Sequence, residues 1–107
     1  MKKSTLPTPP QFQRQLKALG LRLRLARERR KLSTEVFSER LGTSRETLRR
    51  MEKGDASIAM GTFLRALRVL GLNKDIDTLA ADDELGRKLQ DIELLGSRLS
   101  SKDDPAL

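Results

Sequence analysis

The chain has 107 residues, no cysteine, no histidine and a formal net charge of +7. The two absences exclude disulfides and thiolate or imidazole metal sites and remove the commonest general base, which argues against an enzyme. Residues 1–70 carry 17 Lys/Arg against 6 Asp/Glu, whereas residues 71–107 carry 5 against 9; a body at net +11 attracts polyanions such as nucleic acid, and a segment at net −4 faces a different partner.

The length suits one domain with tails. Met1-Lys2-Lys3 begins like a signal peptide, but the polar, Pro-containing stretch to Gln15 offers no apolar region behind it. Nor is any segment long enough to cross a bilayer, so the expectation is a cytoplasmic, nucleoid-associated protein without membrane contact. Pro7, Pro9 and Pro10 mark residues 1–13 as a flexible arm. From there the pattern is helical. Leu16, Leu19, Leu23 and Ala26 recur at three- and four-residue steps and predict a first helix ending near Arg29-Arg30-Lys31, with Gly20 weakening its early turns.

Ser33 is a good N-cap for a short second helix through Glu35, Phe37, Ser38 and Leu41, which Gly42 stops in the left-handed conformation. Thr43 and Ser44 compete to cap the third helix. Thr43 would form a capping box with Glu46; Ser44 would leave Glu46 pointing outward. Leu48 and Met51 give that helix a narrow apolar edge and Gly54 closes it. Ile58, Met60, Phe63, Leu64, Leu67 and Leu70 predict a strongly apolar fourth helix stopped by Gly71, followed by a short fifth one through Ile76, Leu79 and Ala80. Asp82-Asp83-Glu84 opens a sixth, amphipathic helix over 82–99 with Leu85, Leu89, Ile92 and Leu99 on one stripe, and 100–107 reads as a loose tail. No strict two-residue alternation occurs, so the fold class is all-α.

Two short helices around a Gly-containing turn, followed by an apolar helix, form the plan of a helix-turn-helix reader. Residues 19–80 resemble the Xre or lambda-repressor-like family in the small Ser38, the turn glycine Gly42, the core positions Phe37, Leu41, Leu48 and Met51, and the pair Arg27 and Glu52. The resemblance implies a five-helix DNA-binding domain over 14–81, with the helix-turn-helix at about 33–53. A narrower likeness lies in Leu25 to Arg30, Gly61 to Leu72 and Asp77 to Ala80. These are similar to HipB-type antitoxins, which repress their own operon and bind a HipA-type kinase toxin. Stand-alone Xre regulators share much of the pattern, and both readings stay open.

Positions then assign roles. Arg45, Glu46 and Arg50 lead the third helix and are the expected base readers: arginine pairs bidentately with guanine, and glutamate accepts from the cytosine amino group. For Glu46 the capping role stands beside base reading. Ser33, Thr34, Ser44, Thr47, Arg49, Lys53 and Ser57 are expected at phosphates, although Thr34 stands where the family often has a longer glutamine. Phosphates and guanines, rather than protein carboxylates, are expected to compensate the three arginines of this helix. Arg27 and Glu52 read as a structural ion pair. A single domain of this kind touches little DNA, so a homodimer on palindromic double-stranded DNA is expected. Its contact would use Ile76 and Leu79 or the Leu85, Leu89, Ile92 stripe, unless that stripe folds back on its own domain. No cofactor is expected. RNA binding lacks stacking platforms, with no Trp or Tyr and three Phe. Membrane-surface binding has only the first helix, through Leu21 and Leu25, to offer. Catalysis has only the Asp82-Asp83-Glu84 cluster as a magnesium site, which helix capping also explains.

Overall fold

The computed structural model describes residues 6–100. The first residues of the expected arm and nearly all of the expected tail lie outside them. Among the described residues there are five α-helices, one 3-10 helix and no strand. The helices are α1 (Pro10–Arg29), α2 (Thr34–Leu41), α3 (Arg45–Glu52), α4 (Met60–Leu70) and α5 (Glu84–Ser100), with the 3-10 turn at Asn73–Thr78 between α4 and α5. The chain divides into two compact units between Ile76 and Asp77.

In the first unit α1 begins inside the stretch expected to be an arm. Pro10 occupies the first helical position, where a fixed φ suits the helix and the missing N–H would have had no partner. The core gathers Leu23 and Ala26 from α1, Phe37 and Leu41 from α2, Leu48 and Met51 from α3, and Ala66 and Leu70 from α4. Each large side chain buried in this way stabilises the unit by about 1.5 to 3 kcal/mol. Gly20 does not weaken α1. It is buried where α1 crosses the end of α3, and a Cβ there would run into the Glu52 and Met51 carbonyls. The buried face of α4 is only in part the expected one: Leu70 is buried as expected, but with Thr62 and Ala66, while Met60 and Leu64 are exposed. The small Ala66 lets α4 approach the other helices, and Phe63 and Leu67 pack at its flank.

Arg27 and Glu52 meet in this unit with side chains 9% and 8% exposed. Arg27 Nε donates to Glu52 Oε2 at 2.8 Å, Nη2 donates to Oε1 at 3.1 Å, and Nη1 donates to the Leu32 carbonyl at 2.9 Å. The Glu52 hydrogen bond holds the Arg27 guanidinium more firmly protonated than usual. One side chain thus ties α1 both to α3 and to the turn before α2.

The expected fifth helix is the 3-10 turn. It ends at Thr78, so Leu79 and Ala80 lie beyond it, and Ala80 takes a positive φ. In the second unit Asp83 caps α5, its Oδ1 accepting from the Gly86 amide at 3.0 Å. Asp82 pairs with Arg87 and Glu84 with Lys88. Each acid of the cluster therefore has a protein partner, and no group of three or more metal-ligating side chains occurs among the described residues. Leu85, Leu89, Ile92 and Leu95 are exposed along α5. No described helix is long and apolar enough to cross a membrane.

Candidate nucleic-acid interface

The geometry of α2, the turn and α3 follows from four residues. Ser33 caps α2, its Oγ accepting from the Val36 amide at 3.1 Å. Gly42 ends it at φ 71°, and the Thr43 amide turns back to the Ser38 carbonyl at 3.0 Å. A side chain at Gly42 would meet no neighbour, so the left-handed backbone rather than space selects glycine there. Ser38 is buried beside the turn and donates its hydroxyl to the Glu35 carbonyl at 2.9 Å, which satisfies a polar group that burial would otherwise penalise. Ser44 then caps α3, accepting from the Thr47 amide at 3.0 Å. The choice between Thr43 and Ser44 is thereby resolved, and Glu46 stands exposed in the first turn with no capping duty.

With Leu48 and Met51 fully buried, the outward face of α3 can be placed by rotation. At about 100° per residue, Glu46 and Arg50 fall about 160° to either side of Leu48, and Lys53 lies about 140° away. Arg49 lies on the flank. Arg45 falls only about 60° from Leu48 and reaches out because it is the first residue of the helix. Among the described residues, Arg45 and Arg49 have no side-chain partner, and both are exposed.

Arg50 differs. Its Nε donates to Asp55 Oδ2 at 2.7 Å and its Nη2 to Ser57 Oγ at 2.6 Å, so a protein carboxylate does compensate one of the three arginines. Asp55 was not singled out in the sequence because the pairing depends on a loop. Gly54, at φ 88°, packs against the Lys17 backbone of α1, which turns the following residue back toward α3. A Cβ at Gly54 would lie 2.7 Å from the Lys17 nitrogen. The Asp55 carboxylate also accepts from the Ser57 hydroxyl at 2.7 Å and the Ser57 amide at 2.8 Å. These bonds, with the Arg50 charge, hold it well below the usual carboxylate range.

The sign of that shift gives a testable acid response. A depressed folded value stabilises the protein above the unfolded value of 3.8, and the contribution is lost as pH falls toward the folded value. Carboxyl NMR should therefore show Asp55 still ionised near pH 3, where ordinary exposed carboxylates are largely protonated. Titration of Asp55 alongside them would contradict the network.

The remaining candidates divide by what their polar atoms already do. Ser33 keeps its hydroxyl hydrogen, since its bond to Val36 uses only a lone pair. Ser44 donates to Thr47 Oγ1 at 3.0 Å, so its hydrogen is engaged and that of Thr47 is left over. The Ser57 hydroxyl, expected at phosphate, is engaged by Asp55 and Arg50. Thr34 is half-buried at the start of α2, and Lys53 is exposed after α3. Arg65 escaped notice in the sequence. From α4 its Nε donates to the Leu41 carbonyl at 2.8 Å, which anchors the last turn of α2, just before Gly42, to the core. Ile76 is half-buried and Leu79 exposed.

No curated protein and no solved structure matches the chain. A model of the helix-turn-helix domain matches residues 18–81, well over half of the sequence and all of α2, the turn and α3. The chain belongs to the helix-turn-helix domain family and carries its DNA-binding domain.

Proposed function

We propose that the protein is a sequence-specific transcriptional repressor that binds a palindromic duplex operator as a homodimer. The observation that carries this is the exposed surface of α3, opposite and beside its buried row, where Arg45 and Arg49 have no side-chain partner among the described residues. In this reading α3 enters the major groove, and Arg45, Glu46 and Arg50 read base edges. Arg49, Lys53, Thr47, Ser44 and the start of α2 at Ser33 and Thr34 hold phosphates on either side. The exposed Leu85, Leu89 and Ile92, with Leu79, are apolar surface suited to a second copy or a partner.

The similarity to HipB-type antitoxins supports a narrower role, that of the antitoxin of a HipA-type kinase toxin, repressing the promoter of its own operon. Footprinting on the DNA upstream of its own gene, at a stated salt concentration, should reveal a protected site with two-fold symmetry and affinity that falls steeply with salt. No protected site there would remove the autoregulatory role. Co-purification with the neighbouring gene product separates the antitoxin from a stand-alone regulator, which would come out alone.

A further inference from the structure

We propose that Asp55 and Ser57 are positioning residues for base readout, holding one edge of the Arg50 guanidinium so that its opposite edge is presented to a guanine. The proposal rests on α3 being the groove helix. Arg50 lies on the outward face of α3, yet it is the one arginine there with its side chain fixed. Nε is bound by Asp55, Nη2 by Ser57, and Ser57 in turn binds Asp55 through both its hydroxyl and its amide. Guanidinium, hydroxyl and carboxylate close a ring.

A guanidinium has five N–H donors in a rigid fork. Two of them are used here, both along the Nε side. The hydrogens of Nη1 and the second hydrogen of Nη2 have no acceptor among the described residues. The Nη1 and Nη2 pair forms the far edge of the fork, and two parallel donors of this kind match O6 and N7 of guanine. The side chain is 37% exposed, and the two bonds it makes leave the Nη1 and Nη2 edge unused among the described residues.

The network also accounts for an acid in an awkward place. Asp55 puts a permanent negative charge in a surface otherwise built to meet phosphates, where it opposes binding of any duplex. A charge that weakens general affinity makes sense if it adds discrimination. An unheld arginine loses rotamer freedom when it docks; one already held loses little. The support is itself firm, because the Asp55 amide donates to the Arg50 carbonyl at 2.9 Å and Gly54 packs on α1. The competing reading is that the same bonds keep Arg50 away from DNA, and the two predict opposite signs.

The test uses the full chain. Duplexes are enriched from a random pool with the wild type, and the guanine whose preference disappears in Arg50→Ala is identified. Asp55→Asn should weaken the preference for that same guanine by about tenfold, while binding to unrelated duplex at the same salt holds or rises because an acid is gone. Ser57→Ala should give a smaller loss at the same base, and thermal melting of both variants checks that they are folded. Asp55→Asn combined with Arg50→Ala should be no less selective than Arg50→Ala alone. Tighter operator binding by Asp55→Asn, an unchanged preference, or losses that multiply in the double variant would overturn the proposal. An Arg50→Ala variant that keeps every guanine preference overturns it too, leaving Arg45 and Glu46 as readers. A wild type that enriches no sequence overturns duplex reading itself, and the positioning role with it.

Discussion

Replacing Arg45 and Arg50 together with alanine is expected to leave a folded protein that no longer distinguishes its operator from unrelated duplex. Each bidentate arginine–guanine pair discriminates by about 1 to 3 kcal/mol, so losing both removes about 2 to 6 kcal/mol, or at least about 30-fold in relative affinity. The fold should survive for reasons visible in the contacts. Arg45 is exposed and has no side-chain partner among the described residues to strand. Removing Arg50 leaves Asp55 Oδ1 with both bonds from Ser57, and the half-buried carboxylate lies near enough to solvent for water to take up Oδ2. The melting temperature should shift by a few degrees at most. Competition titrations with operator and unrelated duplex measure the ratio; retained selectivity in a folded double variant would remove Arg45 and Arg50 from base reading.

Glu52→Ala is expected to do the reverse, costing stability before it alters which sequence is bound. It leaves the Arg27 guanidinium buried with only the Leu32 carbonyl as acceptor. Breaking a buried pair by removing one partner costs about 3 to 5 kcal/mol, a large share of the roughly 5 to 15 kcal/mol that holds a domain of this size together. The carboxylate lies inside, between α1 and α3, at the end of the helix, whereas Glu46 and Arg50 lie on other sides of α3 and Arg45 at its opposite end. Chemical denaturation should therefore show a lower midpoint, while the remaining folded fraction selects the same sites. A shift in sequence preference at unchanged midpoint would contradict this division.

What could be read from the sequence was punctuation. Ser33, Gly42 and Gly71 end or begin helices because caps and left-handed turns depend on a few adjacent residues, whereas the choice of Ser44 over Thr43 as the cap of α3 needed the structure. The alternation of core positions along α1, α2 and α3 was legible for the same reason, being a property of one helix at a time. Contacts between distant segments were not. Gly20 reads locally as a poor helix former, and only the crossing with α3 shows why a side chain is unwelcome there. Met60 and Leu64 belong to the same apolar pattern as Leu70, but packing chose Thr62 and Ala66 to join Leu70 on the inner face because small residues admit close approach. Arg50 was recognisable as an outward cation, whereas its carboxylate partner follows from the turn at Gly54 leaning on Lys17. Pro10 was grouped with the arm because a proline more often stops a helix than starts one.

The division of α3 into an inner row, Leu48 and Met51, and an outer row that supports nothing inside has an evolutionary reading. In the proposed reading, positions 45 and 46 are the base readers that can be respelled one at a time, each change expected to give a protein that still folds and addresses a different site. Position 50 is not free in that way, since Arg50 shares a held network with the acid five residues later and a new residue there would leave that acid opposing the duplex with no cation to hold. Divergence of this reader toward new promoters should therefore run through two independent letters and one that changes only as half of a couple.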